Sequence, residues 1–441
     1  METLYIRRHQ KMQRNDLLNS HSIKNGNQRG KSRLLDKNRS LSRLDFNDMF
    51  VIPNIFLRIL GLSKIYAALE DDEENENDVI SPIISTAVGL GLLGLINNFV
   101  YQRNNGVHGA LEIMPTILSA FIAWFGGILL YASSKKIKGL LGDMKASWTE
   151  AWIENTDPIL IGKAKRSIFC TLYYSLFIIA LGGFYVVVPL VRMIQKFTSA
   201  QDDQCFDVNI TVLPMRYPFS INTLPIYILT VMYEVSCIFI LAISYLIVDT
   251  LFLQLTTIVC LLLQNAGKKF RDVTLDYNID KGDQSLLREI HHIGKQHSQL
   301  LSYCRRIEET FNPIIYLIIL STSANLCVCV IDLESSLSEL ELAHAATLVM
   351  HFAVVVMQPL IYCNYAEGIS QQTNNIATMI YACQWSDKNK KFKRIVLLIM
   401  MRSQRNYKFG EYGLFKVDRH LLTQLARTAA NFFMLLRKAN T

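Results

Sequence analysis

The sequence predicts an all-α integral membrane protein with seven transmembrane helices. Hydrophobic residues make up 51% of its 441 residues and charged residues only 19%. The apolar residues cluster in runs of about 20, the length that crosses a bilayer's hydrocarbon core. Lys and Arg are distributed unequally between the segments that connect these runs, as the positive-inside rule requires. The net charge of +8 is therefore attributed to membrane orientation and not to a nucleic-acid partner.

Residues 1–82 are predicted to form a cytoplasmic N-terminal tail that ends in an amphipathic segment. Residues 1–50 are rich in Arg, Lys, Asn and Ser and are expected to touch anionic membrane lipid. Residues 50–69 are too short and too charged to span a membrane. The acidic run 70–78 is predicted to be a solvated linker. No apolar core follows the basic N-terminus, so the first span is expected to act as an uncleaved insertion signal.

Residues 83–363 are predicted to contain transmembrane helices one to six. Their apolar runs lie at 83–101, 113–132, 168–191, 224–263, 314–331 and 343–363. The fourth run has no Gly, Pro or Asn between Ile226 and Gln264 that would turn the chain. One helix of about 40 residues would be about 60 Å long, about twice the hydrocarbon thickness. We therefore predict a long fourth helix that extends into the cytoplasm and places Asp249 near or past the inner interface.

The last predicted segments are a cytoplasmic anchor or subunit-contact segment at 364–411 and a seventh helix with a short extracellular tail at 412–441. Ile395–Met401 is a short apolar run between basic neighbours and predicts a membrane-adjacent helix. Residues 413–437 are long enough to span but mixed in polarity. A polar helix among apolar ones faces water or protein, so this segment indicates a pathway through the membrane.

The charge distribution sets the predicted orientation. With the N-terminus in the cytoplasm, the cytoplasmic segments hold 36 Lys and Arg residues and the outer segments hold 6. The C-terminus is then extracellular. If 224–263 held two spans, every later segment would change sides. Asn209 begins a glycosylation sequon in the longest outer loop, whereas the sequon at Asn38 lies inside and should be unused.

The sequence offers no catalytic motif, metal site or cofactor site. The nine cysteines lack disulfide or metal-ligand spacing. His291, His292 and His297 have no Cys, Asp or Glu at ligand spacing on the same face. An intramembrane enzyme would need a catalytic partner for Glu234, and none is evident.

Asn312-Pro313-Ile314-Ile315-Tyr316 matches the NPxxY pattern of G-protein-coupled receptors. In those receptors the pattern closes the last span, but here it opens the fifth. The deduced orientation is also inverted. The pattern is therefore interpreted as a helix start, with Pro313 in the first turn, where its missing N–H is harmless.

Several motifs keep a distinctive order along the chain. They are Tyr217-Pro218-Phe219, Tyr381-Ala382-Cys383-Gln384-Trp385, Met401-Arg402-Ser403-Gln404, Gly413-Leu414-Phe415 and the closing Asn431-Phe432-Phe433-Met434-Leu435-Leu436-Arg437. Together with the topology, they resemble the insect odorant receptor family. The Thr-Tyr…Gln-Phe signature of the related gustatory receptors is absent from the region that begins at Thr428. The Orco co-receptor of the family has a longer second cytoplasmic loop and a different tail, so the chain resembles a divergent ligand-tuning subunit.

This resemblance implies an odorant-gated, non-selective cation channel subunit that acts with Orco in a tetramer and requires no G protein. It implies a location in the plasma membrane of a sensory neuron dendrite and a small volatile odorant as the ligand. A gustatory-type ligand-gated channel is the alternative. A secondary transporter is less favoured, because it predicts an internal repeat with broken helices, which we do not find.

The polar residues of the last helix form one stripe. Its members, at steps of 4, 3, 4 and 3, are Gln424, Thr428, Asn431, Leu435 and Lys438. The stripe indicates either a pore wall or a helix packed inside its own subunit. The resemblance favours the pore and makes Leu435 the hydrophobic gate and Ala439 the next constriction. Lys438 would repel cations, which suggests that the chain does not work alone.

The resemblance also implies a ligand pocket among spans two, three, four and six, in the outer half of the membrane. Aromatic and polar residues in that zone are Phe121, Phe184, Tyr185, Tyr233, Met350, His351 and Phe352. Each aromatic residue could instead serve ordinary helix packing. Glu234 and His351 are ionisable and therefore functional candidates, or else they form interhelical hydrogen bonds.

Subunit contacts are expected at Trp385, Arg402 and Gln404, because tryptophan and arginine often anchor interfaces. Packing within one subunit is the alternative explanation for these residues.

Overall fold

The structure is a computed structural model in which the described residues form helices joined by short connections. It describes residues 44–70, 80–105, 107–154, 157–199, 211–221, 223–275, 283–338, 342–386, 388–405, 407–410 and 415–440. Most of the N-terminal tail, the acidic run from residue 71 and the sequon at Asn209 lie outside this part of the chain.

Twelve helices are described. They are α1 Phe46–Met49, α2 Val51–Ile59, α3 Ser63–Glu70, α4 Ile80–Asn105, α5 Val107–Ala132, α6 Ser134–Glu154, α7 Pro158–Ser199, α8 Leu224–Leu275, α9 Asp283–Ser338, α10 Leu342–Tyr381, α11 Lys390–Ser403 and α12 Arg419–Asn440.

Helix α8 is the centre of the bundle, and its predicted continuity is confirmed. It runs unbroken for 52 residues and packs against α5, α7, α9 and α10. At 1.5 Å per residue it is about 78 Å long. Its middle is buried and mostly apolar, with Leu251, Phe252 and Leu255 fully buried beside the buried polar residues Asp249 and Gln254. A helix that is hydrophobic over most of its surface belongs in a core, so the neighbouring helices assemble around it.

Three other helices extend well beyond the apolar runs from which they were predicted. Helix α7 has 42 residues, α9 has 56 and α10 has 40. Each apolar run ends where polar side chains begin, but the helical hydrogen bonding of the backbone continues past that point. Hydropathy alone therefore locates a span and misses the amphipathic part of the same helix.

The predicted position of Pro313 in a first helical turn is wrong. Helix α9 starts at Asp283, so Pro313 lies deep inside it. The amphipathic residues before Pro313, including the buried Tyr303, Ile307 and Phe311, carry the helix through this position. A helix tolerates an internal proline at the cost of one backbone hydrogen bond when its flanks are well packed.

The N-terminal helices α1–α3 pack on the bundle through an apolar face. Phe46, Phe50 and Leu57 are buried, and the Phe46 ring lies 6.3 Å from the ring of Trp148. Gly61, with φ of 67°, makes the turn between α2 and α3. Arg58 closes the turn through an ion pair with Glu70, and its hydrogen bond lowers the pKa of Glu70. The segment predicted at 50–69 is thus two packed helices.

The C-terminal elements agree with the predicted short helix and final helix. Helix α11 includes the run Ile395–Met401, and α12 follows a turn at Gly410. Gly410 has φ of 78°, and an added Cβ would collide with the carbonyl oxygen of Phe415. The Asp418 carboxylate accepts a hydrogen bond from the N–H of Leu421 at 3.0 Å and caps the start of α12.

Within the described residues, six helices are long and apolar enough to cross a membrane: α4, α5, α7, α8, α9 and α10. Helix α12 is too polar to qualify by composition. The count of seven spans and the orientation therefore stay predictions.

Candidate functional site

A cavity of about 120 Å³ lies between α5, α7, α8 and α10, beneath the segment that connects α7 to α8. Its wall is formed by Thr116, Ser119, Ala120, Ala123, Ile178, Leu181, Gly182, Tyr185, Leu213, Ile238, Leu241, Ala242, Tyr245, His351 and Val354. Most of these side chains are apolar, and a few polar ones converge on one side. That combination is typical of small-molecule sites.

The polar side of the cavity is a cluster around His351, which is 4% exposed. The His351 Nδ1 lies 3.0 Å from the hydroxyl of Tyr185, and its Nε2 lies 3.3 Å from the hydroxyl of Ser119. The amide of Asn325 on α9 donates to Ser119 Oγ at 3.1 Å. We call Ser119, Tyr185, Asn325 and His351 the His351 cluster. It joins α5, α7, α9 and α10 at the wall of the cavity.

Only Tyr185 and His351, of the seven residues expected to bind ligand, line this cavity. Phe121 and Phe184 are exposed on the outside of the bundle, and Phe121 stacks on Phe125 at 5.8 Å. The hydroxyl of Tyr233 donates to the carbonyl of Ala87 at 2.7 Å and so bridges α8 to α4.

Met350 and Phe352 are partly buried away from the cavity wall. Successive residues of a helix point about 100° apart, so the neighbours of His351 cannot all face the same cavity.

The residues predicted from the sequence did not include the small side chains that leave room for the cavity. On α5, Thr116, Ser119 and Ala123 lie about one helical turn apart. On α8, the small residue is Ala242, which lies about one turn from the lining residues Ile238 and Tyr245. A stripe of small residues on an apolar helix was the available signal, because it leaves unfilled volume where large residues would pack.

Glu234 anchors residues 211–221, the described part of the segment between α7 and α8, over the cavity. Its buried carboxylate accepts hydrogen bonds from the N–H groups of Val212 at 2.7 Å and Leu213 at 3.1 Å, and from the hydroxyl of Tyr217 at 2.8 Å. Burial and the adjacent carboxylate raise the pKa of Tyr217. Because Leu213 lines the cavity, Glu234 fixes part of the wall. These partners lie on the connecting segment and not on another helix, and Glu234 itself does not line the cavity.

A second buried carboxylate, Asp249, lies below the cavity. It accepts from the hydroxyls of Tyr174 at 2.5 Å and Tyr362 at 2.6 Å, and from the amide of Gln358 at 3.1 Å. The hydroxyl of Tyr245, which lines the cavity, donates to Gln358 Oε1 at 2.5 Å. The cavity wall is thus hydrogen-bonded to the Asp249 cluster, defined by these five residues.

An aromatic group connects the Asp249 cluster to the turn before α12. The ring of Phe252 lies 4.6 Å from that of Tyr362 and 5.8 Å from that of Phe409. Next to Phe409, the Glu308 carboxylate accepts from the N–H of Gly410 at 2.8 Å and from the hydroxyl of Tyr407 at 2.5 Å. Burial raises the pKa of Tyr407. Contacts are therefore continuous from the cavity to the start of the final helix.

Helix α12 has one buried and one exposed face. Leu421 and Leu425 are buried against the bundle, whereas the predicted pore residues Gln424, Thr428 and Asn431 are exposed. The polar stripe thus does not pack inside this subunit over that length. The gate residue Leu435, with Lys438 and Ala439, lies on the same helix, but their side chains fall outside the described residues.

The expected subunit-contact residues lie at an exposed apolar patch. Trp385 is partly buried against the core, and Arg402 and Gln404 are exposed. Around them, Tyr381 is 70% exposed, Leu398 59% and Met401 65%. We call Tyr381, Leu398 and Met401 the contact patch. Large exposed apolar side chains can mark an interaction surface.

A sequence model of the family described as 7tm Odorant receptor matches residues 106–430, well over half of the chain. Among similar proteins, Odorant receptor 67b of Drosophila melanogaster is 24% identical over 143 residues, 32% of this chain and 34% of that protein. Odorant receptor 22c of the same species is 22% identical over 178 residues, 40% of this chain and 43% of that protein. The chain therefore aligns with less than half of the length of these two relatives.

Longer matches are more distant. Putative odorant receptor 92a of Drosophila melanogaster is 21% identical over 74% of this chain and 78% of that protein. The structure of the insect olfactory receptor OR5 from Machilis hrabei superposes with a TM-score of 0.67 at 14% identity, covering 87% of this chain and 96% of that chain. The same receptor in complex with eugenol gives 0.68 at 14% identity, covering 88% and 97%. At this identity, the likeness shows a shared fold.

The six long apolar helices and the family match indicate a membrane protein. By its match over residues 106–430 and its fold, the chain belongs to the odorant receptor family.

Proposed function

We propose that this chain is the ligand-tuning subunit of an odorant-gated, non-selective cation channel. The observation that carries the proposal is the mostly apolar cavity between four membrane helices, with a continuous packed connection to a final helix whose polar face is exposed. The related Machilis hrabei receptor has been solved with eugenol, a small aromatic odorant, which supports an odorant as the ligand here. The plasma membrane of a sensory neuron dendrite is the corresponding location.

The cavity is the proposed odorant site and α12 the proposed pore wall. Gln424, Thr428 and Asn431 would face the pathway, since all three are exposed on α12. Farther along α12, Leu435 is the proposed gate and Ala439 the next constriction. A ring of leucines can close a pore by expelling water.

The proposed assembly is a tetramer with the Orco co-receptor, arranged in the membrane without a G protein. Lys438 argues for a mixed assembly, because four lysines around one cation pathway would repel the permeant ions at close range. Replacing some of the four chains by a co-receptor lowers that charge. The contact patch is the proposed subunit interface, and Asn209 the proposed glycosylation site on the outer side.

The domain organisation proposed from the sequence follows the same scheme. Residues 1–82 form the cytoplasmic N-terminal region, and residues 83–363 hold the first six spans with the odorant pocket. Residues 364–411 form the contact segment, and residues 412–441 hold the pore helix and outer tail.

The test is to express the chain with and without Orco and to record odour-evoked current across a broad panel. We expect current with Orco and little or none from the chain alone. Comparable cation current from the lone chain would contradict the mixed assembly. Absence of current in both conditions would contradict the channel proposal and leave the transporter alternative open.

A cavity-filling variant tests whether the cavity is the odorant site. Ala242→Phe places a ring into the cavity, so we expect loss of odorant response with normal surface delivery. Leu176→Phe adds a ring at a side chain that is 53% exposed on α7 and serves as the matched control. Equal odorant responses from both variants would exclude this cavity as the site.

A further inference from the structure

The His351 cluster gives the cavity a chemical preference that its apolar wall does not reveal. Three hydrogen-bond contacts hold the cluster together: His351 with Tyr185, His351 with Ser119, and Asn325 with Ser119. The third contact has a fixed direction, because the Asn325 amide nitrogen can only donate. The other two directions depend on which nitrogen of the His351 ring carries the proton.

Counting protons in both tautomers gives the same result. If Nδ1 carries the proton, it donates to Tyr185, and Ser119 donates to Nε2. The hydroxyl proton of Tyr185 is then not used within the cluster. If Nε2 carries the proton, it donates to Ser119, and Tyr185 donates to Nδ1. The hydroxyl proton of Ser119 is then left over. One hydroxyl proton therefore exceeds the needs of the cluster in either form.

The other hydroxyls on the wall do not change this balance. Thr116 also carries a hydroxyl on the wall. If Tyr185 donates its proton to the Thr116 oxygen, the hydroxyl proton of Thr116 becomes the unused donor instead, so the count does not change. The hydroxyl proton of Tyr245 is donated to Gln358. The surplus donor therefore belongs to Ser119, Tyr185 or Thr116, and all three line the cavity.

We propose that the cavity selects compact odorants that carry a hydrogen-bond acceptor, such as the oxygen of a ketone, aldehyde, ester or ether, over hydrocarbons of the same shape. This inference rests on the proposed function only in taking the cavity as the odorant site. A hydrocarbon that fills the cavity displaces water and leaves the surplus proton without a partner. An acceptor oxygen pairs with it, and leaving a buried donor unpaired is the larger penalty.

The experiment compares methyl ketones with 1,1-disubstituted alkenes of the same carbon skeleton, in which a methylene group replaces the oxygen. The full chain is expressed with the co-receptor, and the half-effective concentration is measured for each member of a homologous series. We expect the ketone to be more potent by about tenfold or more, the factor that corresponds to one unpaired buried donor.

The variant Ser119→Ala/Tyr185→Phe/His351→Leu removes the two hydroxyls and the imidazole that the cluster presents on the wall, and leaves Thr116 and Asn325 in place. We expect it to lose most of the preference for the ketone. Tyr173→Phe/Ser236→Ala is the matched control, because it removes the same two hydroxyls from exposed positions of α7 and α8, and should keep the preference. If the triple variant fails to reach the surface, the double variant Ser119→Ala/Tyr185→Phe takes its place, with a reduced preference expected.

A binding measurement separates this inference from the channel proposal. Thermal stabilisation of the purified full chain by each ketone and alkene reports occupancy without requiring current. Stronger stabilisation by ketones without current would overturn the channel proposal and support the preference. Equal effects of ketone and alkene on the unsubstituted chain, no effect of any of them, or a preference that survives undiminished in the triple variant would overturn the inference.

Discussion

At the scale of single residues, two buried carboxylates organise opposite ends of the cavity. Glu234 holds residues 211–221 by accepting hydrogen bonds from two backbone N–H groups and a tyrosine hydroxyl. Asp249 accepts hydrogen bonds from two tyrosine hydroxyls and an amide. A buried carboxylate is tolerated where donors saturate its oxygens, because each hydrogen bond replaces one that water would make. Both residues therefore act first by positioning the chain around the cavity.

Substituting Glu234 is expected to weaken the attachment of residues 211–221 to α8. Glu234→Gln keeps the size but replaces one acceptor oxygen with a donor that faces donors, at a cost of about 1–3 kcal/mol in unfolding free energy. The thermal unfolding midpoint of the purified chain measures the effect. Ser236→Ala, two residues away and exposed, is the control. An unchanged midpoint for Glu234→Gln would contradict the anchoring role.

The Asp249 cluster is expected to behave as one coupled unit. Asp249→Asn removes the negative charge and one of the two acceptor oxygens, and Tyr362→Phe removes the hydroxyl that donates to Asp249 at 2.6 Å. The double variant should be more stable than the sum of the two single effects predicts, with a coupling of about 0.5–3 kcal/mol. The measurement is a double-mutant cycle on thermal unfolding, with odorant potency recorded in parallel. Strict additivity would show that the two residues act independently.

At the scale of elements, the distinctive helix is α12, because its two faces meet different surroundings. Leu421 and Leu425 contact the bundle, and the Asp418 cap and the Gly410 turn fix where the helix starts. The exposed polar residues Gln424, Thr428 and Asn431 lie beside this apolar strip. An amphipathic helix of this kind is held by its apolar face and leaves its polar face for water or another subunit.

Cysteine accessibility tests this division of α12. Thr428→Cys should react with a water-soluble thiol reagent and lose most of its odour-evoked current, because Thr428 is exposed. Leu425→Cys should react slowly, since Leu425 is buried. The unsubstituted chain is the control because its Cys170 is exposed. Equal modification of both positions would argue against α12 as the pore wall.

At the scale of the whole molecule, the apolar surface falls into two classes. Exposed apolar side chains on the spans, such as Leu90, Leu229 and Leu320, suit a lipid environment. The contact patch lies at the far end of α10 and on α11, among basic residues. Exposed apolar side chains of this kind can form a protein–protein interface, which is the use proposed for the patch.

Breaking the contact patch is expected to reduce assembly without unfolding the chain. Leu398→Glu introduces a charge at a side chain that is already exposed, so the fold should be unaffected. Co-purification with the co-receptor should fall by more than half. Ile55→Glu makes the same change on α2, where Ile55 is similarly exposed. If Leu398→Glu assembles as well as Ile55→Glu, the patch is not the interface.

The sequence by itself determined the helical class, the six apolar spans and the continuity of α8. These features depend on local properties, namely the length of an apolar run and the absence of turn residues, which can be read without knowing any neighbour. The polar stripe from Gln424 to Asn431 was also visible, because it depends on the period of one helix.

The tertiary structure alone decided where the cavity lies and which residues line it. Tyr185 and His351 face it, but Phe121, Phe184, Tyr233, Met350 and Phe352 do not. It also decided the roles of Glu234 and Asp249 and the depth of Pro313 within α9. The physical reason is that a cavity arises from the mutual rotation and spacing of several helices. That geometry is set by packing between residues far apart in the chain, such as Ser119 and His351, and no single segment contains it.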